Sequence, residues 1–117
     1  MSEITVQSRS STFKIGWWIL FALAVVSVLG HAALLFAEPG DGLLFLGWVA
    51  FPLYASVVLF IPFRRGETWA WAVTWVMVLA YALVPLFSEE IGLYYLAVAG
   101  LLALGQLLTA SAFFSKR

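Results

Sequence analysis

Four apolar stretches, residues 14–36, 43–63, 68–87 and 91–114, take up almost the whole chain. Every Lys and Arg lies on one side of them. A bilayer core about 30 Å thick is crossed by about 20 apolar residues in a helix rising about 1.5 Å per residue. Each stretch is long enough. In hydrocarbon the backbone must satisfy its own polar groups, so only helices or a closed barrel can span. Barrel strands alternate apolar and polar residues over about ten positions. Residues 20–29 and 96–104 are apolar on almost every face, which makes the spans helices. Of 117 residues, 64% are apolar and 10% charged, so little remains for a soluble domain.

The expected fold is all-α, an integral membrane up-down-up-down four-helix bundle. Residues 1–13 form a polar tail, 14–114 the transmembrane domain and 115–117 a short C-terminus. The connections are AEPGDG, RRGE and SEE, and loops this short make consecutive helices antiparallel neighbours. Gly66 is placed to end the second helix in the left-handed conformation. Glu67 or Thr68 can cap the third helix. Ser88 can cap the fourth, putting Glu89 and Glu90 in a first turn where the helix dipole favours negative charge.

The charge pattern orients the chain. Arg9, Lys14, Arg64, Arg65, Lys116 and Arg117 occupy the tail, the second loop and the C-terminus. The first and third loops hold Glu38, Asp41, Glu89 and Glu90 and no base. Basic loops stay cytoplasmic. The expectation is a multi-pass plasma-membrane protein with both termini cytoplasmic. The first span is expected to be retained and not cleaved as a leader, because its apolar run is long and no clear small-x-small cleavage site follows it before Glu38-Pro39. Trp17, Trp18, Trp69, Trp71, Phe113 and Phe114 fall at one interface. Phe36, Trp48, Phe87, Tyr94 and Tyr95 fall at the other, as aromatic girdles do.

Composition excludes several chemistries. With no cysteine there are no disulfides or thiolate metal sites. One histidine supplies too few ligands for a metal, and no cofactor motif appears, so neither cofactor nor metal is expected. The longest basic run is Arg64-Arg65, too little for nucleic acid. No Asp, Glu, Lys or Arg lies mid-span, where coupled transport usually needs one.

The candidate site is at the outer end. His31 is the only strongly titratable group well inside a span, about five residues or roughly 8 Å from the end of the first helix. Ionisable residues at such depth face the bundle or a cavity. Tyr81, Tyr94 and Tyr95 lie at similar depth, with the acidic loops above them. Pro52 interrupts the second helix and frees the carbonyl of Trp48, so that a kink can open a cavity beside Tyr54 and Ser56. The candidate ligand-binding residues are therefore His31, Tyr81, Tyr54, Trp48 and Tyr94. No nucleophile–base pair marks a catalytic residue. Nearer the other end, Gln106 needs a buried partner, and Thr74 is in reach. The small residues Gly92, Ala99, Gly100, Ala103 and Gly105 allow close helix approach, either inside the bundle or against a second copy.

Length and span count resemble the small multidrug resistance transporters, but those carry a membrane-embedded Glu in their first helix where this chain has Ser27 and His31. The segment Pro62-Phe63-Arg64-Arg65-Gly66-Glu67-Thr68-Trp69-Ala70-Trp71 resembles the R-R-G-E-x-W-A-W turn of small prokaryotic four-helix membrane proteins of the DoxX-like kind. This resemblance implies a prokaryotic integral membrane protein and brings no activity with it. The leading expectation is a non-enzymatic protein that binds a lipid or apolar ligand, or that serves as an accessory or assembly subunit. Its partners would be the bilayer, copies of itself or a larger membrane complex. One alternative is a small transporter acting as a parallel homo-oligomer. Another is a membrane enzyme that uses His31 on a lipid-like substrate.

Overall fold

The computed structural model describes residues 11–114. The polar tail through residue 10, residues 115–117, and with them Arg9, Lys116 and Arg117, lie outside the described residues. Four helices follow one another. α1 is Ser11–Ala37. A 3₁₀ turn at Pro39–Asp41 leads into α2, Gly42–Val58, which continues as a π turn at Leu59–Phe63. α3 is Thr68–Ala82, followed by a 3₁₀ turn at Val84–Leu86, and α4 is Glu89–Phe114. With their continuations the helices are 27, 22, 19 and 26 residues long, and all four are long and apolar enough to cross a membrane. The bundle measures 52 × 23 × 20 Å.

Helix α1 is already helical at Ser11, three residues before the expected boundary. Phe13 is the cause: it is 5% exposed and packs against Phe63 at 6.1 Å and Phe113 at 6.3 Å. Burying that ring draws the first turn into the bundle. The third span ends its α-helix early because Pro85 has no N–H to continue the ladder. The last turn tightens to 3₁₀, with Leu86 N–H donating to the Leu83 carbonyl and Phe87 N–H to that of Val84. Pro52 lies within a continuous α2.

The basic turn is closed as its sequence suggests. Gly66 has φ 80°. Glu67 N–H donates to the Pro62 carbonyl and Gly66 N–H to that of Phe63, the paired bonds of a Schellman motif. Glu67 then starts α3 in extended backbone, but its carboxylate makes no cap. It accepts the Trp69 indole N–H at 2.6 Å and faces Arg65 at 3.8 Å. The Ser88 hydroxyl makes no hydrogen bond among the described residues, so the acidic first turn of α4, Glu89 and Glu90, stands without that cap.

Helix α1 packs along both α2 and α4, and α4 packs along α3; of the neighbouring pairs, α2 and α3 touch least. The α1–α4 crossing is very close. A Cβ on Gly16 would lie 2.8 Å from the Gly105 carbonyl oxygen, and one on Gly105 2.8 Å from Leu20 Cγ. At the other end Gly92 lies as tightly on Pro85. Among the small residues of α4, Gly92, Ala99 and Gly105 therefore pack inside the bundle. Gly100 faces outward.

Gln106 is 0% exposed, and its partner is not Thr74. Its Nε2 donates to the Trp71 carbonyl at 2.9 Å, while the Trp71 indole N–H donates to the Gln106 carbonyl at 3.1 Å. Thr74 turns its hydroxyl back to the Ala70 carbonyl of its own helix. Gln106 Oε1 has no partner among the described residues.

Candidate ligand site at the acidic end

Ser27 and His31 sit one turn apart on α1, on its bundle-facing side, and they organise the acidic half of the bundle. His31 is 6% exposed. Its Nδ1 lies 2.8 Å from the Ser27 carbonyl oxygen and 3.3 Å from Ser27 Oγ. A carbonyl only accepts, so Nδ1 carries the hydrogen and donates. In the neutral imidazole Nε2 is then an acceptor, and the Tyr95 hydroxyl, 2.7 Å away on α4, donates to it. Ser27 Oγ in turn hydrogen-bonds the Tyr81 hydroxyl of α3. One polar chain, Tyr81–Ser27–His31–Tyr95, thus links α1, α3 and α4.

Helix α2 joins through rings alone. Trp48 stacks on the His31 imidazole at 5.4 Å and 22°, and meets Tyr81 edge-on at 5.5 Å. It lies 5.9 Å from the Tyr95 ring. His31, Trp48 and Tyr95 form a triangle of rings, with Tyr95 stacked at 6.1 Å from the imidazole. The structure therefore brings His31, Tyr81 and Trp48 into one cluster.

Tyr94 lies at the edge of this cluster. It is 64% exposed and touches Tyr95 at 5.3 Å. Tyr54 lies elsewhere, 63% exposed on α2 beside a cavity of about 90 Å³ that Phe51, Val58 and Thr74 also line. Ser56 does not reach that cavity and bonds the Pro52 carbonyl at 2.8 Å. Two cluster members, Ser27 and Tyr95, were absent from the candidate ligand residues. The signal for Ser27 was its spacing of four from His31, which puts both on one helix face.

No protein-family model, curated protein or solved structure matches the chain. Its chemistry is read from the cluster and the spaces beside it.

Two cavities flank the cluster, and His31 and Tyr95 line both. The smaller, about 210 Å³, lies between α1 and α4, bounded by Val26, Gly30, Leu34 and Val98 among others, with Tyr94 at its edge. The larger, about 540 Å³, lies among α2, α3 and α4. Its walls are mainly apolar: Leu44, Phe45, Ala80, Leu83, Val84 and Ile91 contribute. The polar lining residues are His31, Trp48, Ser88 and Tyr95. Its volume is within the range of about 300–1,000 Å³ usual for small-molecule sites, and apolar walls with a few convergent polar groups are their usual make-up. Glu38, Asp41, Glu89 and Glu90 are exposed at this end of the bundle, and none of them lines either cavity. Lys14, Arg64 and Arg65, the bases among the described residues, are at the opposite end. Arg64 lies over the rings of Phe60 at 4.8 Å and Trp17 at 5.4 Å.

Proposed function

We propose that this small membrane protein is non-enzymatic and holds an apolar ligand or lipid chain in the larger cavity at its acidic end. The cavity carries the reading: about 540 Å³ of mainly apolar wall with the aromatic–histidine cluster as its polar edge. The state of His31 supports a binding role over catalysis. Both ring nitrogens are engaged, one by a backbone carbonyl and one by a tyrosine hydroxyl. A general base would have to break one of these bonds before taking a proton.

The orientation belongs to the same proposal. The basic end faces the cytoplasm and the acidic end, with the cavity, faces outward in a plasma membrane. The lopsided loop charges support this. The DoxX-like turn at residues 62–71 agrees with a prokaryotic host.

Native mass spectrometry of the chain released gently from its own membranes tests the reading. The expected result is a retained small molecule or lipid, lost in Ala80→Phe, which fills the cavity from its α3 wall. A wild-type chain released bare would overturn it. A chain released with another protein and no small molecule would also overturn it, in favour of an accessory subunit.

One observation favours a second reading, a parallel homo-oligomer. Tyr54 lies about 18 Å along α2 from Gly42, near the middle of the span, and faces outward. Its hydroxyl makes no hydrogen bond among the described residues. An unsatisfied polar group in hydrocarbon costs several kcal/mol, on the order of that for a buried hydroxyl. A Tyr54 hydroxyl from a neighbouring copy would satisfy it. The chain has no cysteine, so a single Ala50→Cys variant reports on this directly. Disulfide-linked dimers in membranes support the oligomer, and monomers alone refute it.

A further inference from the structure

We infer that the ligand of the larger cavity is a neutral apolar alcohol, recognised through its hydroxyl by Trp48 and Tyr95. The inference rests on the binding role proposed above and adds the chemistry of the headgroup.

The cluster leaves part of its hydrogen-bonding capacity unspent. His31 Nδ1–H is committed to the Ser27 carbonyl, so the Tyr95 hydroxyl spends its one hydrogen on His31 Nε2. The Tyr95 oxygen keeps an acceptor site and receives no hydrogen bond from any described residue. Trp48 is the complement. Its indole N–H can only donate, and it makes no hydrogen bond among the described residues. Both side chains line the larger cavity, with ring centroids 5.9 Å apart. One donor and one acceptor are thus unused at the polar edge of an apolar space. Ser88, also on the lining, can act either way and does not discriminate.

A hydroxyl fits this pair because it accepts from Trp48 and donates to Tyr95 in one group. A ketone, ester or ether only accepts, leaving Tyr95 unmatched. An ammonium only donates, and no carboxylate lines the cavity to balance its charge once water is removed. A fatty acid carboxylate cannot donate to Tyr95. It would also meet the field of Glu38, Asp41, Glu89 and Glu90, at an end of the bundle with no base among the described residues. Unpaired polar groups at a binding site are what reject analogues that lack the matching atom.

The test uses two diazirine-bearing probes on one isoprenoid chain, a farnesol analogue and its methyl ether, with the full-length protein in nanodiscs. Photoadducts are mapped by peptide mass spectrometry. The alcohol is expected to label cavity residues such as Leu83 and Val84 about tenfold more than the ether, the ratio that one matched hydrogen bond supplies in a dry site. Trp48→Phe and Tyr95→Phe keep an aromatic ring at each position: Tyr95→Phe should pull the ratio towards one, whereas Trp48→Phe, which removes a donor that both probes can accept from, should lower cavity labelling by both and leave the preference for the alcohol. Trp69→Phe, at the far end of the bundle, should leave it unchanged. Equal cavity labelling by both probes would overturn the alcohol inference and leave the binding role standing. A preference that survives Tyr95→Phe, or alcohol labelling that Trp48→Phe leaves undiminished, would overturn the assignment to these groups. Labelling of outward-facing residues alone, such as Leu107, would overturn the binding role along with the inference.

Discussion

Gly105→Ala and Gly100→Ala make the same chemical change on the same helix, five residues apart, and should act in opposite directions. At Gly105 the new Cβ would lie 2.8 Å from Leu20 Cγ, 3.1 Å from Leu20 Cδ2 and 3.0 Å from the Gly16 carbonyl oxygen. Leu20 is completely buried and has no free volume to turn into, and the Gly16 oxygen is backbone. Helices α1 and α4 must therefore separate, and overpacking of this kind costs about 1–3 kcal/mol. At Gly100 nothing lies within 4 Å. There the only consequence is the helix preference for Ala over Gly, a gain of roughly 0.5–1 kcal/mol. The helix preference is common to both sites and cancels, so the two variants should differ by the overpacking alone, about 1–3 kcal/mol or roughly fivefold and more in the folding equilibrium. Reversible unfolding in mixed micelles, read by loss of helicity or by a steric-trap binding assay, measures that ratio. Equal stability of the two variants would refute the close α1–α4 crossing. So would a Gly100→Ala variant as damaged as Gly105→Ala.

Four further outcomes follow from the contacts and the loop charges. Tyr81→Phe and Ser27→Ala remove the two ends of one interhelical hydrogen bond, so a double-mutant cycle should show coupling of about 0.6 kcal/mol, the usual membrane value. Additive effects would show that the bond contributes nothing. Gln106→Leu removes an unpartnered buried oxygen together with the bond to Trp71, and the two effects should largely cancel, to within about 1 kcal/mol. Gln106→Glu places a charge in the same spot and should be strongly destabilising, by about 3 kcal/mol or more, in the same unfolding assay. Single cysteines at Gly40 and at Arg65 should react with an impermeant maleimide from opposite sides of intact cells, Gly40 from outside, and the reverse pattern would invert the proposed orientation.

Much of the fold was legible because its causes are local. Span length, loop charge, the left-handed Gly66 and the acidic start of α4 are read directly from residue types. The inward face of each helix was harder to read, since apolar residues cover every side and hydrophobicity carries no direction. Small and polar residues carry it instead. On α4 the buried positions 92, 99, 106 and 113 repeat every seven residues, with 102 and 109 between them, the spacing of a coiled-coil seam. Tyr95 falls on that seam, three residues after Gly92, and Tyr94 falls off it. Depth alone made the two tyrosines equivalent, whereas the register of the small residues selects the one that binds His31. The partner of Gln106 was not legible, because a backbone carbonyl leaves no mark in a sequence. Phe13 was read as tail because its burial depends on Phe63 and Phe113, fifty and one hundred residues away.

The position of the cavity follows from how the four helices are tied. α1 holds α2 on one side and α4 on the other, and α4 holds α3, so the bundle would be closed by α2 meeting α3. That contact is the weakest of the neighbouring pairs. At the basic end α2 is fastened, with the Trp17 indole N–H donating to the Leu59 carbonyl at 2.7 Å and Phe63 stacked edge-on with Phe113 at 4.9 Å. At the acidic end α1, α3 and α4 are joined by the Tyr81–Ser27–His31–Tyr95 chain, but α2 makes no hydrogen bond to another helix there among the described residues. Only the rings of Trp48 and Phe45 hold it against His31. The half of α2 that walls the larger cavity is thus held by its packing along α1 and by ring contacts rather than by hydrogen bonds to another helix, and stacked rings can slide apart without leaving a polar group bare. On the proposed binding role, an apolar molecule dissolved in the bilayer would enter sideways between α2 and α3, which keeps its chain in hydrocarbon until its headgroup reaches Trp48 and Tyr95.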